Sequence, residues 1–145
     1  MKAIQARSKA VDELRDAIND WAAAVEVRDI DALLKHYVDD VRVFDVPSPQ
    51  QLRGKDEYRK NWESFLGRIE GPVTCEFREM EIFANDELGF VHSLTSIHSE
   101  GLDPDHCPWV RATACFQKIK DTWMTVHEHV SVPMNSTHPS HDPLR

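Results

Sequence analysis

Nowhere in this sequence do apolar residues run for the roughly 18 positions that a membrane-spanning helix needs. The opening residues, MKAIQARSKAVDELRD, also lack the apolar stretch of a secretory signal. Cations are in short supply: 17 lysines and arginines stand against 25 acidic residues, a formal charge of −8. That balance excludes the basic stripe of a nucleic-acid surface and disfavours docking on an anionic membrane. Cysteine is scarce as well. Cys75, Cys107 and Cys115 cannot all pair, and no Cys-x-x-Cys occurs. They read as free thiols of a protein in the reducing cytoplasm. No GxSxG, GxGxxG, P-loop or HExxH sequence is present. Serine-elbow hydrolysis, dinucleotide binding and zincin chemistry therefore have no support. Nor is there an internal repeat or an interdomain linker.

What is present suits one globular domain. The 145 residues are 41% hydrophobic and 29% charged, enough to enclose a core. Residues 1–133 read as that domain and 134–145 as a flexible polar tail. Val11, Leu14, Ile18, Trp21 and Val25 recur at spacings of three and four, the stripe of an amphipathic helix. Asp29 is the expected N-cap of a short second helix holding Ile30, Leu33, Leu34 and Tyr37, with Asp39-Asp40 as its end. A strand over Val41–Val46, a loop at Pro47-Ser48-Pro49 and a third helix over Lys55–Leu66 follow. From Val73 the pattern becomes extended: Val73–Ala84, Leu88–His98, Trp109–Lys118 and Trp123–Val132. Turn signals stand at Asn85-Asp86 and Lys120-Asp121. The order α-α-β-α-β-β-β-β predicts an α+β fold, with three N-terminal helices packed on one face of a strongly bent, mostly antiparallel sheet. Such a sheet can leave a cone-shaped hole at its open end.

The last strand, VHEHVSVP, sorts into two faces at period two. Val126, Glu128, Val130 and Val132 share one; His127, His129 and Ser131 share the other, which extends back to Thr125 and Trp123. We read the histidine face as the one turned toward the helices, and the valine row as an outer face awaiting a partner. His127 and His129 are then candidate bases. As metal ligands they would need a third partner such as His92, His98, Asp45 or Cys115, and no recognisable spacing supplies one, so no metal is expected. Asp45, in VRVFDVP, shares a face with Val41 and Val43. It is either a pocket acid or a strand-end residue in solvent. Arg111 can pair with Asp45, with a substrate anion or with Glu128. His92 lines a pocket or an edge, and Trp21, Tyr37, Trp62, Phe65 and Trp109 form core and pocket wall.

Several stretches resemble the NTF2-like superfamily, and within it the SnoaL-like and ketosteroid-isomerase-like proteins. They are WAAAVEVRDIDALLKHYVDDVRVFDVP (21–47), LRG (52–54), WVRAT (109–113) and WMTVHEHVSVP (123–133). The resemblance implies a cone-shaped pocket between three helices and the sheet. It also implies a homodimer, no organic cofactor and, as a rule, no metal. Asp45 stands where the isomerases of that group carry their general base. Trp21 stands where they carry the oxyanion tyrosine, and a position near Ala114 where they carry the protonated aspartate. The resemblance thus does not extend to steroid isomerisation. The function expected is a pocket protein for a small hydrophobic carbonyl compound, if an enzyme a cofactor-free isomerase, cyclase or dehydratase using Asp45, His129 or His127. The other expectation is a non-catalytic ligand-binding or dimeric assembly domain.

Overall fold

The computed structural model describes residues 8–46 and 49–134. The loop read at Pro47-Ser48 and the tail from residue 135 lie outside the described residues. Helix α1 spans Lys9–Glu26, opened by Ser8, whose hydroxyl accepts the Val11 N–H at 3.1 Å. Its buried stripe is the predicted one, Val11, Leu14, Ile18 and Val25, with Ala10 and Ala24 added. Helix α2 is short, Ile30–Leu34, and Asp29 caps it by accepting the Ala32 N–H at 3.0 Å. Strand β1 (Tyr37–Phe44) and strand β2 (Leu52–Arg53) form a hairpin that leads into helix α3, Gly54–Gly67.

Four longer strands complete the sheet: β3 (Val73–Ala84), β4 (Leu88–Ser99), β5 (Val110–Ile119) and β6 (Thr122–Ser131). The strand order is β2-β1-β6-β5-β4-β3, with β1 parallel to β6 and every other pair antiparallel. The turns have their expected chemistry. Lys120 and Asp121 both take positive φ, 50° and 63°, as a tight β5–β6 hairpin demands. Asn85 Oδ1 accepts the N–H groups of Glu87 and Leu88 at 2.9 Å each. The α+β architecture of three helices on a curled, mostly antiparallel sheet is the one predicted.

Two local readings need correction. Tyr37 is not in α2 but opens β1, and Asp39-Asp40 lie within that strand, exposed, in an irregular stretch of its pairing with β6. A short acidic pair looks like a helix stop in sequence; here it is the outward bend of a strand. Gly54 sits against this bend at φ +87°, where an added Cβ would lie 3.3 Å from the Asp39 carbonyl. The short β2 carried too few residues to show a pattern.

The interior forms two buried clusters. One gathers Leu33, Leu34, Val41, Val43, Trp62 and Leu66 from α2, β1 and α3. The other gathers Leu14, Ile18, Ile82, Val91, Phe116 and Trp123 from α1 and the long strands. Arg28 helps hold the helical layer together. In left-handed conformation (φ 58°), it follows α1 and sends its guanidinium to the carbonyls of Leu66 (2.6 Å), Ile69 (2.8 Å) and Gly71 (2.6 Å), at and beyond the end of α3. Leu66 lies in the last turn of α3, and Ile69 and Gly71 follow the helix. Arg28→Ala should destabilise the fold by about 1–2 kcal/mol, because the bonds are charge-assisted but partly exposed. Arg28→Lys should recover less than half, since one ammonium cannot replace a fork. Urea midpoints for the three proteins measure this; equal midpoints would contradict it.

Candidate active site

The faces of β6 are set by one extra residue. Phe116 pairs with Thr125, but Cys115 pairs with His127, so Val126 is inserted without a partner. A bulge of this kind shifts the alternation by one. Trp123 and Thr125 point inward before it; Glu128, Val130 and Val132 line the cavity after it. The expected assignment of faces is therefore reversed for the end of the strand. His127 and His129 lie on the outer side, around the ring of Phe44 at 4.8 and 5.4 Å. His127 Nδ1 donates to the Arg42 carbonyl at 2.6 Å. The row of Val130 and Val132 belongs to the cavity, not to an outer patch.

Glu128 is the centre of what the strand does present. Its carboxylate is partly buried, and each oxygen accepts one phenol: Tyr37 donates to Oε1 and Tyr58 to Oε2. Burial raises its pKa above the ordinary carboxylate value; the two hydroxyls pull it back, and the nearby charge of Asp45 raises it again. Both phenols are pushed well above the ordinary tyrosine value, first by burial and then by the Glu128 charge. Asp45 follows β1 and also lines the cavity. Its Oδ1 accepts the Val46 N–H at 2.8 Å and its Oδ2 accepts Asn61 Nδ2 at 3.0 Å. Burial raises the Asp45 pKa, and these two donors lower it in part. Two carboxylates with raised pKa values thus share one cavity, the lower part of which is framed by Tyr37, Tyr58 and Asn61.

The cavity measures about 1210 Å³ and takes its walls from both buried clusters. Trp21, Tyr37, Trp62 and Phe65 stand in that wall as expected, joined by Phe77 and Phe116. Trp21 and Trp62 meet edge to face at 5.7 Å. The Trp62 indole N–H is buried and reaches no acceptor among the described residues.

Other expected site residues lie elsewhere. Arg111 is exposed and pairs with neither Asp45 nor Glu128. Its Nε donates to Ser131 Oγ at 3.1 Å and its Nη2 to the Val132 carbonyl at 3.2 Å, which clamps the end of β6. Exposed His92 lies 3.3 Å from Glu81 and beside Phe83, in a smaller groove of about 540 Å³ shared with Arg111. Trp109 carries the Arg78 guanidinium over its ring at 4.1 Å and is not in the cavity wall. All three cysteines are free. Burial pushes the Cys75 thiol up to about 12, helped by Glu26 and Glu76, so it is no nucleophile.

Sequence reasoning missed Glu128, Tyr58 and Asn61 as site residues. The signals existed. Glu128 is the one acid in the valine row, and Asn61 interrupts the apolar stripe of Tyr58, Trp62 and Phe65 on α3. A polar residue on an inward stripe points at a pocket only once the inward side is known.

Residues 14–135 match the SnoaL-like domain family. None of the curated proteins matches the sequence. Among solved structures, an NTF2-like protein of unknown function from Pseudomonas putida KT2440 is 32% identical, with a TM-score of 0.81 over 89% of this chain and 91% of its own. A proposed scytalone dehydratase from Novosphingobium aromaticivorans DSM 12444 is 16% identical, covering 86% and 85% of the two chains with a TM-score of 0.71. A proposed ketosteroid isomerase from Shewanella frigidimarina NCIMB 400 is also 16% identical, covering 86% and 96% with a TM-score of 0.66. These two likenesses are of fold. With 122 consecutive positions matched to one family and the same architecture in its neighbours, the chain belongs to the SnoaL-like family of NTF2-like proteins.

Proposed function

We propose that this protein is a cofactor-free acid–base enzyme of the isomerase or dehydratase class, acting on a small hydrophobic carbonyl compound, with Asp45 as its general base. The observation that carries this reading is the Asp45 carboxylate, set in the cavity wall with its pKa raised by burial and held by Val46 and Asn61. A raised pKa makes a carboxylate a stronger base. The carboxylate takes a proton from the carbon next to the substrate carbonyl, and the C–H electron pair moves into an enolate. The developing negative oxygen needs a donor, and the unpartnered Trp62 N–H is available for it. Collapse of the enolate then either returns the proton from Asp45 to a different carbon or expels a β-hydroxyl, which takes that proton and leaves as water. Neighbouring folds that carry the names dehydratase and ketosteroid isomerase agree with this class.

Glu128 has another role in this scheme. Both its oxygens are engaged, so it is a poor base; it orients Tyr37 and Tyr58 and adds negative charge beside Asp45. His127 and His129 take no part, being on the other side of the sheet. The second reading, ligand binding without turnover, draws on the same cavity and is separated from the first by proton transfer alone.

A panel of small cyclic and aromatic ketones, screened for thermal stabilisation, should yield a ligand. In D2O that ligand should gain deuterium at its α-carbon in the presence of the protein. Asp45→Asn should slow the exchange by about 10²–10⁴-fold, the usual worth of a positioned base, while affinity changes only a few-fold. A ligand that binds well but never exchanges would establish the binding reading instead.

The raised carboxylates also give a pH signature. A carboxyl whose folded pKa lies above its unfolded value binds its proton more tightly in the native state. Its contribution to stability is present below the unfolded pKa and is lost as pH rises through the folded one. Native stability should therefore fall relative to Glu128→Gln as pH rises from about 4.5, the ordinary glutamate value, toward neutrality. Urea midpoints for both proteins at several pH values should diverge across that window. Parallel curves would show that Glu128 titrates normally.

We also propose a homodimer through the outer face of the sheet, on a different row from the valines first considered. Phe44 (37% exposed) and Phe90 (43% exposed) stand there with His127 and His129. Exposed aromatic rows are surfaces that monomers avoid. Light scattering at tens of micromolar should give twice the chain mass, and Phe44→Glu should halve it.

A further inference from the structure

Away from the cavity, three metal-ligating side chains of different chemistry converge: Glu76 from β3, His98 from β4, and Cys107, which follows a short 3₁₀ turn at Pro104–His106. We propose that they form a site for a zinc-class divalent cation, which fastens the β4–β5 connection to the sheet. Among the described residues this is the group of three whose ligand atoms all lie within 4.8 Å of one another.

Several independent features suit a cation there. His98 Nε2 lies 3.6 Å from Glu76 Oε2. Zinc bonds of about 2.0–2.3 Å at tetrahedral angles put neighbouring ligand atoms roughly 3.3–3.7 Å apart, so this pair is already at metal-binding separation. The other ring nitrogen, Nδ1, lies 3.0 Å from the hydroxyl of Ser96, itself buried. A partner on the far nitrogen fixes the ring and turns Nε2 toward the ion, as outer-shell groups do in zinc sites. His98 and Cys107 are both buried, at 6% and 8% exposure. Glu76 is half-buried, which leaves one side open for water as a fourth ligand. A thiolate, a carboxylate and a neutral imidazole sum to −2 and match a divalent ion; the sulfur favours zinc over magnesium or calcium.

The thiol also has a contact within the protein. Cys107 Sγ donates weakly to the Asp103 carbonyl at 3.3 Å. Binding replaces that contact: the thiol proton leaves to solvent and a sulfur–metal bond forms. The consequence reaches the cavity, because Pro108 and Val110, next along the chain, stand in its wall. A cation at Cys107 would hold that part of the wall in place.

Cobalt(II) is the probe. Titrated into the protein stripped with chelator, it should bind at one ion per chain and develop sulfur-to-cobalt charge-transfer absorption with tetrahedral ligand-field bands. Zinc should displace it and raise the melting temperature. Cys107→Ser should abolish the charge-transfer band and weaken zinc binding at least tenfold, and His98→Gln should weaken it similarly. Cys75→Ser and Cys115→Ser should leave both unchanged. Circular dichroism confirms that each variant is folded; should His98→Gln not fold, Glu76→Gln takes its place with the same expectation. No stoichiometric binding at a hundred micromolar zinc, or a band that survives Cys107→Ser, would overturn the site.

Discussion

The arrangement of the whole cavity depends on one carboxylate between two phenols. Glu128 comes from β6, Tyr37 from the start of β1 and Tyr58 from the second turn of α3. An ionised carboxylate taken out of water costs several kcal/mol unless donors replace its hydration. Here each oxygen has its own hydroxyl, so three elements are tied at one point by a need that none can leave unmet. The tie fixes the rotation of α3 over β1. Asn61 lies one residue short of a full turn beyond Tyr58, and with α3 in that rotation it reaches Asp45. A structural triad and a chemical group are thus linked through one helix face.

A cavity this large has a cost in the fold. The apolar interior is divided into two clusters that would pack more densely if joined. A buried indole N–H, that of Trp62, stands without a partner among the described residues, a deficiency worth about 1–3 kcal/mol. Natural folds keep such deficits where a ligand can relieve them. The compensation lies at the edges of the molecule: the Arg28 fork at the end of α3, the Ser8 and Asp29 caps, and the Arg111 clamp on the end of β6.

Much of the fold was legible in the sequence because it rests on periodicity. The α1 stripe, the Asp29 cap, the third helix and the four long strands with both tight turns follow from spacings of three to four, spacings of two and turn chemistry. Tyr37 and Asp39-Asp40 were misread because a bent strand start and a helix stop use the same residues. In the site, Asp45 and the aromatic wall were legible from strand alternation and family likeness. Glu128 was not, since the bulge at Val126 leaves no trace in composition; only the register of β5 against β6 reveals it. Arg111, His92 and Trp109 were plausible by residue type, but an exposed ion pair, a strand-end clamp and a cation–π contact use those types equally well.

The bulge decides which side chains face the cavity. Continued without interruption, the alternation that points Trp123 and Thr125 inward would carry His127 and His129 into the cavity and turn Glu128 out. The interior would then hold two imidazoles, facing Asp45 across the space between the helices and the sheet. With one residue inserted, it holds a second acid instead, and two phenols that donate to it. Negative charge is concentrated beside Asp45 rather than offset. The charge of Asp45 adds to burial in raising the proton affinity of Glu128, while burial raises that of Asp45 itself. A count of one residue in a strand of ten thus replaces imidazoles by a carboxylate in the cavity wall.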